Sequence, residues 1–302
     1  MIRTQKEYVG PSRTFHGSID SLMGTRLEIL VSEGAPEAVS RLWEWLCVES
    51  ARLQKVLDRF DPDSELSILN RSVAPVRAGE TLSWMIRTAI RYHRLTEGLF
   101  DVAKGNLNEV SIDDSDLVDL GGRVLDFGGM AKGLLLSRLG SAAAAEGVGS
   151  LFADFGGSSI LGLGHHPFGD CWTVGVRNPF RPGVLEDITL RNQAMSTSGN
   201  TPSYGAHIIN PFTGEYVTAR RQVTVVSEDA LDAEVLSTTL MIAGEEQAER
   251  VAARFTGCSA RFYDVLIFRQ MLGLFLSQVS NHSMCSVRKL STYSTSLFQS
   301  PK

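Results

Sequence analysis

Three groups of residues have the types and spacing for chemistry. The first is Asp126-Phe-Gly-Gly-Met-Ala-Lys-Gly133. Gly128 and Gly129 remove two Cβ atoms just ahead of an apolar helical run with Leu134, Leu135, Leu136 and Leu139. A helix that starts at such a bend points free N–H groups and its positive end at an anion, which suits a phosphate. Lys132 falls in the first turn, where the dipole disfavours a cation unless an anion sits beside it. A tight turn without ligand would use the same residues, and the spacing matches neither a Walker loop nor Gly-x-Gly-x-x-Gly. The second group is His207, near Ser198-Gly199 and just before Pro211-Phe-Thr-Gly214. Histidine is the usual proton acceptor near neutral pH, although a lone one is more often structural. The third is Glu234 with Thr238, four apart on one helix face. A carboxylate and a hydroxyl there suit a hard cation such as magnesium; a surface acid and a back-bonding threonine is the plainer alternative. Together the groups supply a phosphate cradle, a base and a metal-ligand pair, as magnesium-assisted chemistry on a pyrophosphate requires. Spacing alone does not single out the substrate.

The elements that must position these groups are legible as periodicity. A short apolar strand at 124–127 should feed the double glycine, with a helix from Lys132 to about Glu146 that stops at Gly147. Glu234 and Thr238 need a helix over 230–243. Upstream, two strands over 15–31 join through Ser21-Leu-Met-Gly-Thr25, and an amphipathic helix over 35–57 carries Trp43, Leu46, Leu53 and Leu57. Ser64 suits a helix cap, and a further helix spans 81–96. Asp101 stands alone among apolar residues between Gly98 and Gly105, which is odd for a core position. Residues 113–119 are acidic and read as a loop. Strands are expected at 151–155, 160–164, 172–177, 223–226 and 261–268. Strands separated by a few long helices, without strict alternation, predict an α+β fold with mixed or antiparallel sheets. The Ser-rich stretch 277–302 lacks periodicity and should be loosely ordered or locally helical.

The chain has 302 residues, a net charge of −5 and 43% hydrophobic content, enough for one large or two modest domains with a proper core. Mild acidity without a basic run argues against nucleic acid as a partner. Cys47, Cys171, Cys258 and Cys285 are scattered, which disfavours zinc and a disulfide framework. The N-terminus lacks an apolar signal core, and no run reaches the roughly 20 apolar residues of a membrane span. A cytoplasmic protein without a membrane span is the expectation.

The sequence resembles the ApbE family, the FAD:protein FMN transferases. The resemblance rests on Met23-Gly-Thr25, Asp63-Ser-Glu-Leu-Ser67 with Asn70, Gly98-Leu-Phe-Asp-Val102 and the 126–133 segment. It continues through Phe155-Gly-Gly157, Trp172-Thr-Val-Gly-Val-Arg177, Thr197-Ser-Gly199, His207-Ile-Ile-Asn-Pro-Phe-Thr-Gly214 and Val223-Thr-Val-Val226 with the helix after it. It implies a T-fold-like single catalytic domain over 15–268, between an N-terminal extension 1–14 and an atypical Ser-rich tail 269–302. It also implies that FAD is bound with Mg2+ and cut at its pyrophosphate. FMN is then joined to a threonine or serine hydroxyl of an acceptor flavoprotein, and AMP leaves. By position, His207 would be the base. The metal would be held at Gly129, Glu234, Ser237 and Thr238, and Met23, Asp101, Asp126, Lys132 and Ile209 would line the FAD site. Two departures fall on this set: Glu234 stands where the family has aspartate, and Asn210 where it has His-Ile-Ile-Asp-Pro. The same constellation would also serve an FAD pyrophosphatase, or a flavin-binding protein without catalysis.

Overall fold

Period-two alternation builds one large sheet, and helices cover one of its faces. A computed structural model of the chain describes residues 3–9, 14–200, 205–264 and 286–289. In chain order the strands are β1 (Arg3–Val9), β2 (Thr14–Leu22), β3 (Thr25–Glu33), β4 (Val76–Arg77), β5 (Ser111–Ile112), β6 (Leu117–Asp119), β7 (Ser150–Phe155), β8 (Ser159–Leu163), β9 (Trp172–Arg177), β10 (Val184–Leu190), β11 (Gln193–Gly199), β12 (Arg221–Ser227), β13 (Ser259–Asp264) and β14 (Ser286–Lys289). The helices are α1 (Pro36–Leu57), α2 (Glu65–Asn70), α3 (Glu80–Leu95), α4 (Ala131–Glu146), α5 (Ala230–Ile242) and α6 (Glu245–Ala252). The main sheet runs β1-β2-β3-β7-β8-β11-β12-β13-β14, antiparallel except for the last pair. The α+β class with antiparallel sheets is therefore the one observed.

Neighbouring residues on a strand point to opposite faces, and the two faces have different covers. Leu161, Ala194 and Val225 join the main core with Leu46 of α1, Leu135 of α4 and Leu236 of α5. Their neighbours Ile160, Met195 and Val226 instead meet Trp172, Val176, Ile188 and Leu190 of the β9–β10 hairpin. Strand β12 is thus covered on both sides, which accounts for its unbroken buried run from Gln222 to Ser227, with valines at 223, 225 and 226.

Most expected elements form within a residue or two. The exception that matters is 124–127, which joins no sheet. Its backbone partner is a side chain: the Asn70 amide donates to Leu125 O (2.9 Å) and accepts from Leu125 N–H (2.8 Å). A side-chain amide that imitates a neighbouring strand leaves no trace in the periodicity. The acidic stretch 113–119 is not all loop, since β6 within it pairs with β4 and β5. Helix α6 was not anticipated, being short and heavily charged. The extension drawn at 1–14 contributes β1, an edge strand on β2. Expectations for 265–285 and 290–302 lie outside the described residues.

Polar ties lock the helices around the site. Glu49 of α1 is buried and accepts from Arg52 (2.8 Å) and from Arg138 of α4 (2.5 Å), while Arg52 also donates to Thr81 of α3 (2.6 Å). Burial works against its charge, but these two arginines overcome it and hold the Glu49 carboxyl below the usual range. Tyr92 of α3 stacks on Phe255 and donates its hydroxyl to Asp232 of α5 (2.6 Å). Burial, then the Asp232 charge, pushes the Tyr92 hydroxyl above the tyrosine range, and burial raises Asp232.

Helices α4 and α5 cross closely at Gly133. A Cβ there would lie 2.8 Å from Ala230 O and from Leu231 Cα, both backbone atoms that cannot rotate away. Gly140, two turns later, has only Leu161 Cδ2 at 3.8 Å. Gly133→Ala should therefore destabilise the protein by about 1–3 kcal/mol. Gly140→Ala should stabilise it by about 0.5–1 kcal/mol through helix propensity. Urea denaturation of the two variants measures both signs. The Tyr92 tie predicts a pH effect. The unfolded chain releases this phenolic proton above about pH 10 while the folded chain keeps it, so stability is full below that pH and falls above it. The fall should approach about 1.4 kcal/mol per pH unit and be absent from Tyr92→Phe, so the two denaturation curves should converge as pH rises from 9 toward about 11.

Candidate active site

The segment before α4 is held by its neighbours at each residue. After the Asn70 clamp on Leu125, Asp126 N–H donates to Val102 O (2.8 Å). The Asp126 carboxylate accepts Gly128 N–H (3.0 Å) and lies 3.2 Å from Arg59 Nε, just past the end of α1. Met130 N–H and Ala131 N–H both donate to Phe127 O (2.9 and 3.0 Å), and α4 begins. Met130 occupies the cap position and supplies no side-chain acceptor.

A residue from α5 supplies it. The Glu234 carboxylate accepts Gly133 N–H on one oxygen and the Lys132 ammonium on the other. Gly133 is the third helical residue, whose N–H a cap side chain ordinarily satisfies. Glu234 is thus a remote cap, and the anion required beside Lys132 is this carboxylate. Its side chain is only 4% exposed, so the charge is tolerated because both oxygens are bonded.

One turn along α5, hydroxyls gather. Ser237 Oγ lies 2.9 Å from Ser198 Oγ and 3.1 Å from Ser196 Oγ, and donates to Glu234 O (3.1 Å). Thr238 Oγ1 is 3.3 Å from Ser198 Oγ. A Cβ on Gly129 would lie 3.8 Å from Thr238 Oγ1 and 3.3 Å from Phe100 Cε2, so Gly129 packs directly against Thr238. The Glu234 carboxylate and, one turn on, the hydroxyls of Ser237 and Thr238 beside Gly129 offer oxygen donors with one negative charge. Among the described residues no group of three or more His, Cys, Asp or Glu could hold a metal. The set fits magnesium, which takes hard oxygen ligands, often one or two carboxylates, and keeps waters or phosphate oxygens for the rest.

The other expected residues sit on loops tied to this centre. The Asp101 side chain is 1% exposed and organises its own loop, accepting Ala103 N–H (2.6 Å) and Leu107 N–H (3.2 Å), with His93 Nδ1 at 3.5 Å. This explains a lone acid in an apolar stretch: its charge serves backbone N–H groups. Met23 and Gly24 form a two-residue turn between β2 and β3, both at positive φ (48° and 76°), and Met23 N–H donates to Gln54 of α1 (3.2 Å). His207 is exposed, with Nδ1 3.3 Å from Gly205 O. A carbonyl only accepts, so in this contact Nδ1 is the donor and Nε2 takes no part in it.

His207 and Ile209 lead into a small hairpin. Ile209 bridges Tyr216, and Val217 N–H donates to Ile208 O (2.8 Å). Asn210 Oδ1 accepts Phe212 N–H (2.9 Å), a bond that an aspartate oxygen would make equally well. This hairpin docks on the Asp101 loop. Gly105, at φ +98°, sits so close to Pro211 O that a Cβ would overlap it, and Gly98 lies under the Phe212 ring. Gly129, Lys132, Glu234, Ser237 and Thr238 are therefore in one contact network, which Asp126 adjoins. Asp101 connects through Val102, His207 and Ile209 through Pro211, and Met23 through Gln54 of α1. Sequence reasoning did not assign Arg59, Ser196 or Ser198 to the site. The serines carried a signal: Ser196-Thr-Ser198 on a strand places two hydroxyls on one face.

Comparison with known proteins bears on this arrangement. The FAD:protein FMN transferase of Rhodobacter capsulatus is 27% identical over 288 residues, covering 80% of this chain and 53% of the relative. The FAD:protein FMN transferase of Vibrio cholerae serotype O1 is 26% identical over 246 residues, covering 66% of this chain and 73% of the relative. The chain thus spans about half the length of the first relative and about three quarters of the second. Among solved structures, the flavin transferase ApbE from Vibrio cholerae superposes with a TM-score of 0.68 at 21% identity, over 84% of this chain and 91% of that one. The apo flavinyl transferase ApbE of Pseudomonas stutzeri gives 0.67 at 19% identity, over 86% and 90%. These likenesses concern the fold. The sequence model of the ApbE family matches residues 23–116 and 104–262, spans that take in α4, α5 and every loop just described, and the chain belongs to the ApbE family.

Proposed function

We propose that this chain transfers FMN from FAD to a threonine or serine hydroxyl of an acceptor flavoprotein and releases AMP. The observation that carries this reading is the packing of Gly129 against Thr238 and of the Glu234 carboxylate on the head of α4, in a chain whose relatives are named FAD:protein FMN transferases. Gly129 O, Glu234, Ser237 and Thr238 would hold Mg2+, which when bound neutralises charge on the pyrophosphate. The head of α4 and Lys132 attract the same anion. Met23, Asp101, Asp126 and Ile209 shape the walls around FAD, with Asp101 acting through the loop it organises. His207 Nε2 takes the proton from the acceptor hydroxyl as its oxygen attacks the FMN phosphorus. The bond to the AMP oxygen breaks, and AMP departs. An exposed histidine on a docked hairpin suits this, because the second substrate is a protein that must reach it from outside. Among the described residues no helix is long and apolar enough to cross a membrane, and a cytoplasmic site of action is part of the same proposal.

Mass spectrometry of an acceptor flavoprotein incubated with the chain, FAD and Mg2+ tests the reaction. The acceptor should gain the mass of FMN; release of free FMN and AMP alone would mean hydrolysis, and intact FAD would mean binding only. His207→Ala should lower transfer by roughly 10²–10⁴-fold while FAD affinity is retained. Transfer at the parent rate would remove His207 from the mechanism. Glu234→Asp should keep transfer magnesium-dependent, since the carboxylate is preserved; loss of activity in a folded variant would show that residue 234 does not hold the ion.

A further inference from the structure

The Glu234 carboxylate already has two partners, and one of them is a cation. Lys132 Nζ meets one oxygen and Gly133 N–H the other. The ammonium is the more accessible partner: the Lys132 side chain is 20% exposed, that of Glu234 4%. An unpaired carboxylate at that depth would cost several kcal/mol, so the free protein needs an internal positive charge. The neighbouring hydroxyls one turn along α5, those of Ser237 and Thr238, are neutral, and Asp126 is paired separately with Arg59. Side-chain length completes the arrangement. Aspartate would end one carbon–carbon bond, about 1.5 Å, short of the reach that glutamate uses here over Gly133.

We propose that Lys132 is the resident counter-cation of this site. It holds Glu234 while no divalent ion is bound, and an ion that takes Glu234 sets Lys132 free to meet an incoming phosphate. Ion and nucleotide binding are then coupled through one side chain: the ion displaces Lys132 from the carboxylate, and the displaced ammonium adds to phosphate affinity. The bond to Gly133 N–H marks the same exchange, because that N–H also becomes available to an anion once Glu234 turns toward the ion. This rests on the reading of Glu234 as an ion ligand.

The test uses the full chain freed of flavin, with Mn2+ alone as probe. Acylation of Lys132 by an N-hydroxysuccinimide ester, mapped by mass spectrometry, should rise several-fold when Mn2+ saturates the protein. In Glu234→Gln it should be high without the ion. Titration calorimetry should show Lys132→Met binding Mn2+ about tenfold more tightly than the parent, and Lys132→Arg, which keeps the charge and guards against loss of fold, close to the parent. Unchanged acylation of Lys132 at saturating Mn2+, or Lys132→Met binding no tighter than the parent, would overturn the proposal while leaving Glu234 as a ligand. A parent that binds no Mn2+ would overturn that reading too, whereas FMN transfer to an acceptor is scored separately by mass.

Discussion

A carboxylate from one helix caps the head of another, and the rest of the site depends on that contact. Glu234 satisfies an N–H that α4 cannot satisfy locally, since Met130 offers no acceptor. It also neutralises a lysine that the α4 dipole would otherwise repel. The contact forms only because residue 133 has no side chain: a Cβ would meet both the α5 backbone and the Glu234 carboxylate. Glycine, lysine and glutamate at this crossing form one device. Their close approach brings the next turn of α5 against Gly129 on one side and β11 on the other, which is where the hydroxyls collect.

Around this rigid crossing the backbone is irregular, and its hydrogen bonds go largely to side chains. Asn70 serves Leu125, Asp101 serves Ala103 and Leu107, Asp126 serves Gly128, and Asn210 serves Phe212. Each amide or carboxylate replaces the neighbouring strand that a sheet would provide. Loops held in this way can take shapes that helices and strands forbid, and they still satisfy their buried polar groups.

Much of this was legible in the sequence, and the boundary is physical. Local periodicity gave α1, α3, α4, α5 and, in the main sheet, β2, β3, β7, β8, β12 and β13, because burial of one face is written into successive residues; it did not give β1, β11 or β14. Ser64 proved to be the cap of α2, accepting Ser67 N–H at 3.0 Å. The 124–127 segment reads as a strand because apolarity reports burial, and Leu125 and Phe127 are buried, but apolarity does not report what the backbone bonds to. Position 132 announced that an anion must lie near, yet nothing local says that it comes from 102 residues along the chain. The family resemblance brought Lys132 and Glu234 into one site but gave them separate duties; the ion pair emerges only from the three-dimensional arrangement.

The double cover on β12 has a dynamic consequence. Helix α5 seals one face and the β9–β10 hairpin the other, so amide protons at the centre of the sheet should exchange only when much of the domain opens. The 205–217 hairpin is anchored to the domain by Ile208, which is buried in the main core with Val217 packed against it, by Pro211 over Gly105, by Phe212 over Gly98, and by the Asn200 amide on Val217 and Ala219. His207 thus rides, exposed, on a hairpin pinned by a buried isoleucine, so its position should persist through the small fluctuations that leave the sheet beneath it shut.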